Sequence, residues 1–197
     1  MAIINGYATL AEFKALLGIT STNATDDSII EDCIEAASRY IDGKTRRTFY
    51  ARTETRYFSV PDGGERQLDL DDDLLTITTL LNGDGTTITN TYYHLVPKNS
   101  APYYAILLKI SYGYSWLIDT LGNSEYVISV AGTWGYCAVA PDDIKEACLQ
   151  IALAAYKRKH GENLSSNTVT TGYGVMVTSQ DVPNFAWQII NQYKKVM

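Results

Sequence analysis

The chain has 197 residues, of which 46% are hydrophobic and 19% charged, and its formal net charge is −6. That length fits one domain with a proper core, or a helical layer carrying a small β insert, and two large domains would be crowded. The acidic balance excludes a broad basic surface that binds nucleic acid by counterion release, although a protein that surrounds DNA without gripping it stays compatible, and no run approaches the ~20 apolar residues of a membrane span.

Thr9-Leu10-Ala11-Glu12 is a capping-box pattern; Phe13, Leu16 and Leu17 follow on one face and Gly18 supplies a stop, so a short first helix is predicted. Beyond the polar stretch 20–25, Asp26, Asp27 and Ser28 offer a cap and first-turn negative charge. Ile29, Ile30, Cys33, Ile34, Ala37 and Ile41 then recur at helical spacing, which predicts a helix over 27–43. From 53 to 136 the pattern changes to short β-branched or aromatic runs at 55–60, 74–81, 86–89, 92–96, 105–110 and 126–131. Turn chemistry such as Pro61-Asp62-Gly63-Gly64 and Asn82-Gly83-Asp84-Gly85 bounds them, so antiparallel hairpins are expected.

Helical period returns at Pro141, suited to the first helical position, with Asp142 and Asp143 next and Ile144, Ala147, Cys148, Ile151 and Ala155 along one face. Lys157, Arg158, Lys159 and His160 complement the helix dipole before Gly161. The stretch 162–182 is polar and Gly/Ser/Thr-rich around an alternating run at 173–177, an arm or hairpin with little core of its own. A last helix begins near Pro183 and carries Phe185, Ile189, Ile190 and Tyr193 on one side. The expected fold class is α+β: a helical bundle (1–52 and 137–160) flanking an inserted antiparallel β-rich subdomain (53–136), then a C-terminal arm and helix (161–197). The helices on either side of the insert must share an apolar seam to bury their faces.

Chemistry-bearing residues are sparse. Asp69, Asp71, Asp72 and Asp73 form the densest carboxylate cluster, but a calcium-loop template starting at Asp69 puts Leu74 where Gly belongs and Leu80 where Glu belongs, so a solvated acidic turn is expected and no metal site. The only histidines are His94, in a strand pattern, and His160, in a closing helix turn, so nucleophilic catalysis lacks a base and an enzyme is not expected. The glycines at 83, 85, 132 and 135 match no phosphate-loop or dinucleotide spacing, so no cofactor is expected. Cys33, Cys137 and Cys148 are odd in number and lack CxxC spacing, which signals neither a disulfide framework nor a zinc knuckle. With an N-terminus lacking a basic start and an apolar core, they place folding in a cytoplasm.

The fifteen tyrosines suit either a protein interface or a Tyr-rich β core. Lys44, Arg46, Arg47 and Arg52 are a basic cluster that dipole complementation and solvated charge explain; the functional alternative is ion pairing of Arg46 and Arg47 with an acidic patch such as Asp71, Asp72 and Asp73 on a neighbouring subunit. A different class of reading makes the β-rich part a carbohydrate- or peptide-binding module, with exposed tyrosines and Trp116 or Trp134 as stacking platforms.

Tyr7-Ala8-Thr9-Leu10-Ala11-Glu12-Phe13-Lys14 with Leu17-Gly18-Ile19, then Ala37-Ser38-Arg39-Tyr40-Ile41-Asp42 with Thr45-Arg46-Arg47-Thr48-Phe49, and later Gly132-Thr133-Trp134-Gly135-Tyr136 leading into Pro141-Asp142-Asp143-Ile144-Lys145-Glu146-Ala147, together resemble the head-tail connector (adaptor, head completion) proteins of tailed bacteriophages. The resemblance implies a homo-oligomeric ring of about twelve copies in the virion neck, bound to the portal protein on one side and to a tail-side connector, stopper or tail protein on the other. DNA would pass through it only in transit, the subunit would sit in the host cytoplasm before assembly, and no catalytic residue, cofactor or membrane is implied. The polar arm and the Phe185/Ile189/Ile190/Tyr193 face are the expected portal-docking element.

Overall fold

A computed structural model describes residues 3–159, 166–171, 174–179 and 182–195. In chain order the elements are α1 (Leu10–Leu17), α2 (Asp27–Thr45), β1 (Arg52–Phe58), β2 (Gln67–Leu81), β3 (Tyr93–Val96), β4 (Tyr103–Leu108), β5 (Ile128–Trp134), α3 (Asp142–Lys159), β6 (Ser166–Thr171), β7 (Gly174–Ser179) and α4 (Asn184–Gln192). They fall into two compact units, Met1–Arg46 with Ala140–Met197, and Arg47–Val139. The class is α+β with an antiparallel sheet.

In the first unit the capping box is formed: the Glu12 backbone N–H donates to the Thr9 hydroxyl, and the Glu12 carboxylate accepts from the Thr9 backbone at 2.7 Å. Gly18 closes α1 in the left-handed region at φ 67°. Helix α2 runs past Gly43 to Thr45, whose buried hydroxyl donates to the Ile41 carbonyl at 2.9 Å, and ends at Arg46 in the left-handed region. Pro141 lies just outside α3, its carbonyl accepting the Lys145 N–H.

The apolar seam runs between α2 and α3. Ile30, Cys33, Ile34, Ala37 and Ile41 on α2 and Ile144, Ala147, Cys148, Ile151 and Ala152 on α3 are buried, and α4 adds Ala186, Ile189 and Ile190. Each fully buried isoleucine contributes about 1.5–3 kcal/mol relative to exposure. Phe13 of α1 meets Tyr156 edge-on, ring centroids 5.6 Å apart. Lys14, also buried, reaches Asp27 at 2.5 Å and the Asn23 carbonyl at 2.7 Å, tying α1 to the start of α2. The N-terminal segment is held by Tyr7, whose backbone donates to Ser38 Oγ and whose hydroxyl donates to Asp42. β6 and β7 pair as an antiparallel hairpin. His160 and Gly161, expected to close α3, lie outside the described residues.

The second unit is a five-stranded antiparallel sheet in the order β1-β5-β2-β4-β3. The expectation of successive hairpins is corrected here. Among these strands only β3 and β4 pair as chain neighbours, and β5 inserts between β1 and β2 despite the Pro61-Asp62-Gly63-Gly64 turn that joins them. β5 buries Ile128, Val130, Gly132 and Trp134 at period 2, and a central position is where a strand with that much apolar surface is covered from both sides. The expected strand at 86–89 is reduced to one bridge, Leu81 to Thr87.

The acidic turn is corrected too. Asp69, Asp71, Asp72 and Asp73 lie inside the 15-residue β2, which pairs with β4 in its first part, with β5 in its second, and changes register between Asp69 and Leu74. A bulge there lets one strand serve two partners.

Candidate assembly surfaces

Three of the four aspartates of β2, Asp71, Asp72 and Asp73, are paired with arginines of the same chain, while the exposed Asp69 accepts from Gln67. Asp73, almost fully buried, accepts both contacts from Arg47 at 2.8 and 2.9 Å, and the same guanidinium lies 4.8 Å from the Tyr136 ring centroid. Asp72 accepts from Arg52 at 2.8 Å and Arg56 at 2.9 Å; Arg56 also bonds Asp71 and Glu54. Arg56 covers the Trp134 ring at 4.6 Å, so the lattice roofs the sheet's apolar face where β1 is too polar to do so with carbons. Burial works to lower the Arg56 pKa, but the hydrogen bonds it donates to Asp71 and Glu54, with the negative charges of Asp71 and Asp72, together outweigh it and hold the group above its ordinary value. Of the five residues expected to carry charge between subunits, Arg47, Asp72 and Asp73 are engaged here, while Arg46 and Asp71 present exposed side chains. Glu54 and Arg56 were missed by the sequence reading. Their signal was the alternation Arg52-Glu54-Arg56, which puts three charges on one strand face.

The Gly132-Thr133-Trp134-Gly135 motif is structural. Trp134 is fully buried, its indole N–H donates to the Glu54 carbonyl at 3.1 Å, and Phe58 stacks on it. A Cβ on Gly132 would stand 2.1 Å from the Thr76 carbonyl, and one on Gly135, at φ 137°, 2.3 Å from the Tyr50 carbonyl. Trp116 is also buried, donating to the Arg66 carbonyl at 3.0 Å. Neither tryptophan is available as a stacking platform, so of the features named for the carbohydrate-binding reading only exposed tyrosines such as Tyr57 and Tyr126 remain.

On α4 the expected docking face divides. Ile189 and Ile190 are buried inside their own unit, and Tyr193 donates to Asp143 at 2.8 Å. Phe185 remains exposed, joined by Trp187, over which Lys44 lies at 5.8 Å.

His94 pairs with Leu107 in the β3–β4 ladder, its pKa held low by partial burial and by Lys109 and Lys98. Cys148 is buried and Cys137 half-buried; burial pushes each thiol up to about 11. Among the described residues no group of three or more His, Cys, Asp or Glu could hold a metal ion, and no helix is long and apolar enough to cross a membrane.

Residues 7–83 match the model of the phage gp6-like head-tail connector protein family, from the buried Tyr7 through α1, α2, β1 and β2. No curated protein matches the chain. The fold resembles, over all of this chain, a subunit from the neck of an empty GTA particle computed with C6 symmetry (TM-score 0.58, 17% identity, 94% of that chain). It also resembles one from the neck of a native GTA particle computed with C12 symmetry (TM-score 0.56, 17% identity, 93% of that chain). A third likeness is to a chain of the virion of a native gene transfer agent particle (TM-score 0.57, 18% identity, 94% of that chain). At these identities the likeness is one of fold.

Proposed function

We propose, from the premise that residues 7–83 carry the phage gp6-like head-tail connector pattern, that this chain is a structural virion protein, a connector subunit of the neck between head and tail. The observation that carries the reading is that family match, which begins and ends inside the ordered units described above. The full-length likeness to chains of GTA particles, two of them from necks computed with C6 and C12 symmetry, supports assembly as a ring. In that ring the subunit joins the portal protein to a tail-side connector, stopper or tail protein, and DNA crosses only in transit. A net charge of −6 suits a conduit, because an acidic wall repels phosphate and offers no sticking point. The role is architectural and non-catalytic: the charged cluster of β2 is consumed in holding a sheet, and the family is one of structural connectors.

Portal docking falls to the exposed part of α4, Phe185 and Trp187, since Ile189 and Ile190 belong to the core. Arg46 and Asp71 are exposed charges that a neighbouring copy would meet, Asp71 together with the Arg56 it already binds. The test is electron microscopy of negatively stained particles of the protein mixed with its cognate portal. A ring-shaped layer added to the portal end is the expected result; portals that stay bare at saturating protein overturn the reading.

A further inference from the structure

The connection between β4 and β5 runs for nineteen residues, 109–127, and it concentrates the exposed apolar side chains of its unit. Leu121 is 85% exposed, and Leu117 and Ile118 project beside it. Connections this long are uncommon in compact units unless they have work to do. Apolar exposure alone would say little, but this backbone is pinned.

The pins are specific. Trp116 is buried and hydrogen-bonded to Arg66. Asn82, itself buried, accepts the Leu117 N–H at 2.9 Å and donates to the Ser115 carbonyl at 3.0 Å. Beyond them Asp119 closes a tight turn: its N–H donates to the Asn123 carbonyl, and its carboxylate accepts from the Leu121 N–H, the Asn123 N–H and the Asn123 amide, each at 2.8 Å. A turn held by its own hydrogen bonds while pointing leucine and isoleucine outward is preorganised, so little conformational entropy is lost when those side chains are covered.

The first unit carries a complementary feature. Between α2 and α3, and bordered by Val182 just before α4, lies an open groove of about 240 Å³ with Ala36, Ala37, Tyr40, Ile151, Ala155 and Arg158 in its lining. The alanines leave room where larger side chains would fill it. Lys44, one turn beyond Tyr40, and Lys159 beside Arg158 add positive charge that outweighs Asp32, one turn before Ala36. The turn carries the opposite sign, in Asp119 and Glu125.

We propose that the 117–123 turn of one copy is a knob that seats in the α2–α3 groove of a second copy. Both surfaces are apolar and their charge signs are opposite, and because the two surfaces differ the contact is head-to-tail, which closes into a ring when its rotation closes. The inference rests on the ring reading above and deepens it by naming the surfaces that meet.

The test is cysteine trapping in a Cys137→Ser background, where the remaining thiols, Cys33 and Cys148, are buried. Leu121→Cys combined with Ala36→Cys on one chain, concentrated and mildly oxidised, should give a ladder of dimers, trimers and higher multimers on a non-reducing gel, whereas either substitution alone stops at dimers. Leu121→Asp should weaken self-association by about tenfold or more without lowering the unfolding temperature, because the side chain is exposed. In parallel, wild-type protein is fixed with a lysine-reactive cross-linker and imaged. No ladder, with closed rings among the fixed particles, overturns the knob contact, leaves the ring reading standing and assigns the turn to another neck protein. A ladder whose products are only open chains upholds the contact and overturns the ring. Absence of both ladder and rings overturns both.

Discussion

Asp73 and Arg47 form a near-buried ion pair with two contacts, and removing one partner strands the other. Asp73→Ala is expected to cost about 3 kcal/mol, read as a lower urea midpoint, because the lost attraction is accompanied by an uncompensated charge in a half-dry site. Replacing both residues with apolar ones of similar volume should recover most of that loss. Cys148 gives a pH-dependent signature. Burial raises its folded pKa to about 11, above the ordinary thiol value of 9.0, so its contribution is complete below about pH 9 and is lost as pH rises through 11. The span corresponds to on the order of 2–3 kcal/mol. Cys148→Ala should therefore flatten the alkaline limb of a stability-versus-pH curve relative to wild type, and an unchanged limb would contradict the assignment. At this scale the sequence identified the acidic residues and Arg47 as a partner, though across a subunit boundary, and missed Arg52 and Arg56, because the registers that bring these against β2 are set by β5, more than seventy residues downstream of Arg56.

Among the elements, β5 is the one least tolerant of change. Gly132→Ala places a methyl 2.1 Å from the Thr76 carbonyl, so β2 must move or its bond to β5 must break. An expected loss of about 1–3 kcal/mol should appear as a lower melting temperature with unaltered helix signal. Helix α4 separates two roles that its sequence face merged. Ile190→Ala, at a buried site, should cost about 2–4 kcal/mol of stability. Phe185→Ala, at the more exposed of the two aromatic positions, should cost far less stability than Ile190→Ala and weaken portal attachment, measured by co-sedimentation. The helices were legible because caps and the 3.6-residue period are local: Thr9, Glu12 and Gly18 decide α1 among themselves. The 15-residue β2 was half-read, because Leu68 and Leu70 alternate with Asp69 and Asp71, a strand pattern overshadowed by the density of carboxylates.

For the whole molecule, the second unit should stand alone. Its ends are stitched together by the Tyr136 N–H donating to the Thr48 carbonyl at 2.7 Å and the Gly135 N–H donating to the Asp73 carbonyl at 2.8 Å, and it has its own core around Trp134, Leu74 and Ile106. A fragment of residues 47–139 is expected to unfold cooperatively, with a strand-rich circular dichroism spectrum and the near-ultraviolet signal of buried tryptophan; a broad, signal-poor transition would show that it depends on the helices.

The sequence by itself determined what short-range physics controls: four helices, with the caps of α1, the β character of the middle, and a family likeness carried by residues that turn out to be caps, core and close-packed glycines. Only the tertiary structure decided which strands pair, that the acidic cluster holds arginines rather than solvent, and which side of α4 is left outside. Those outcomes depend on segments far apart in the chain meeting at one place, and a pattern read along the chain carries no term for a partner it has not yet met.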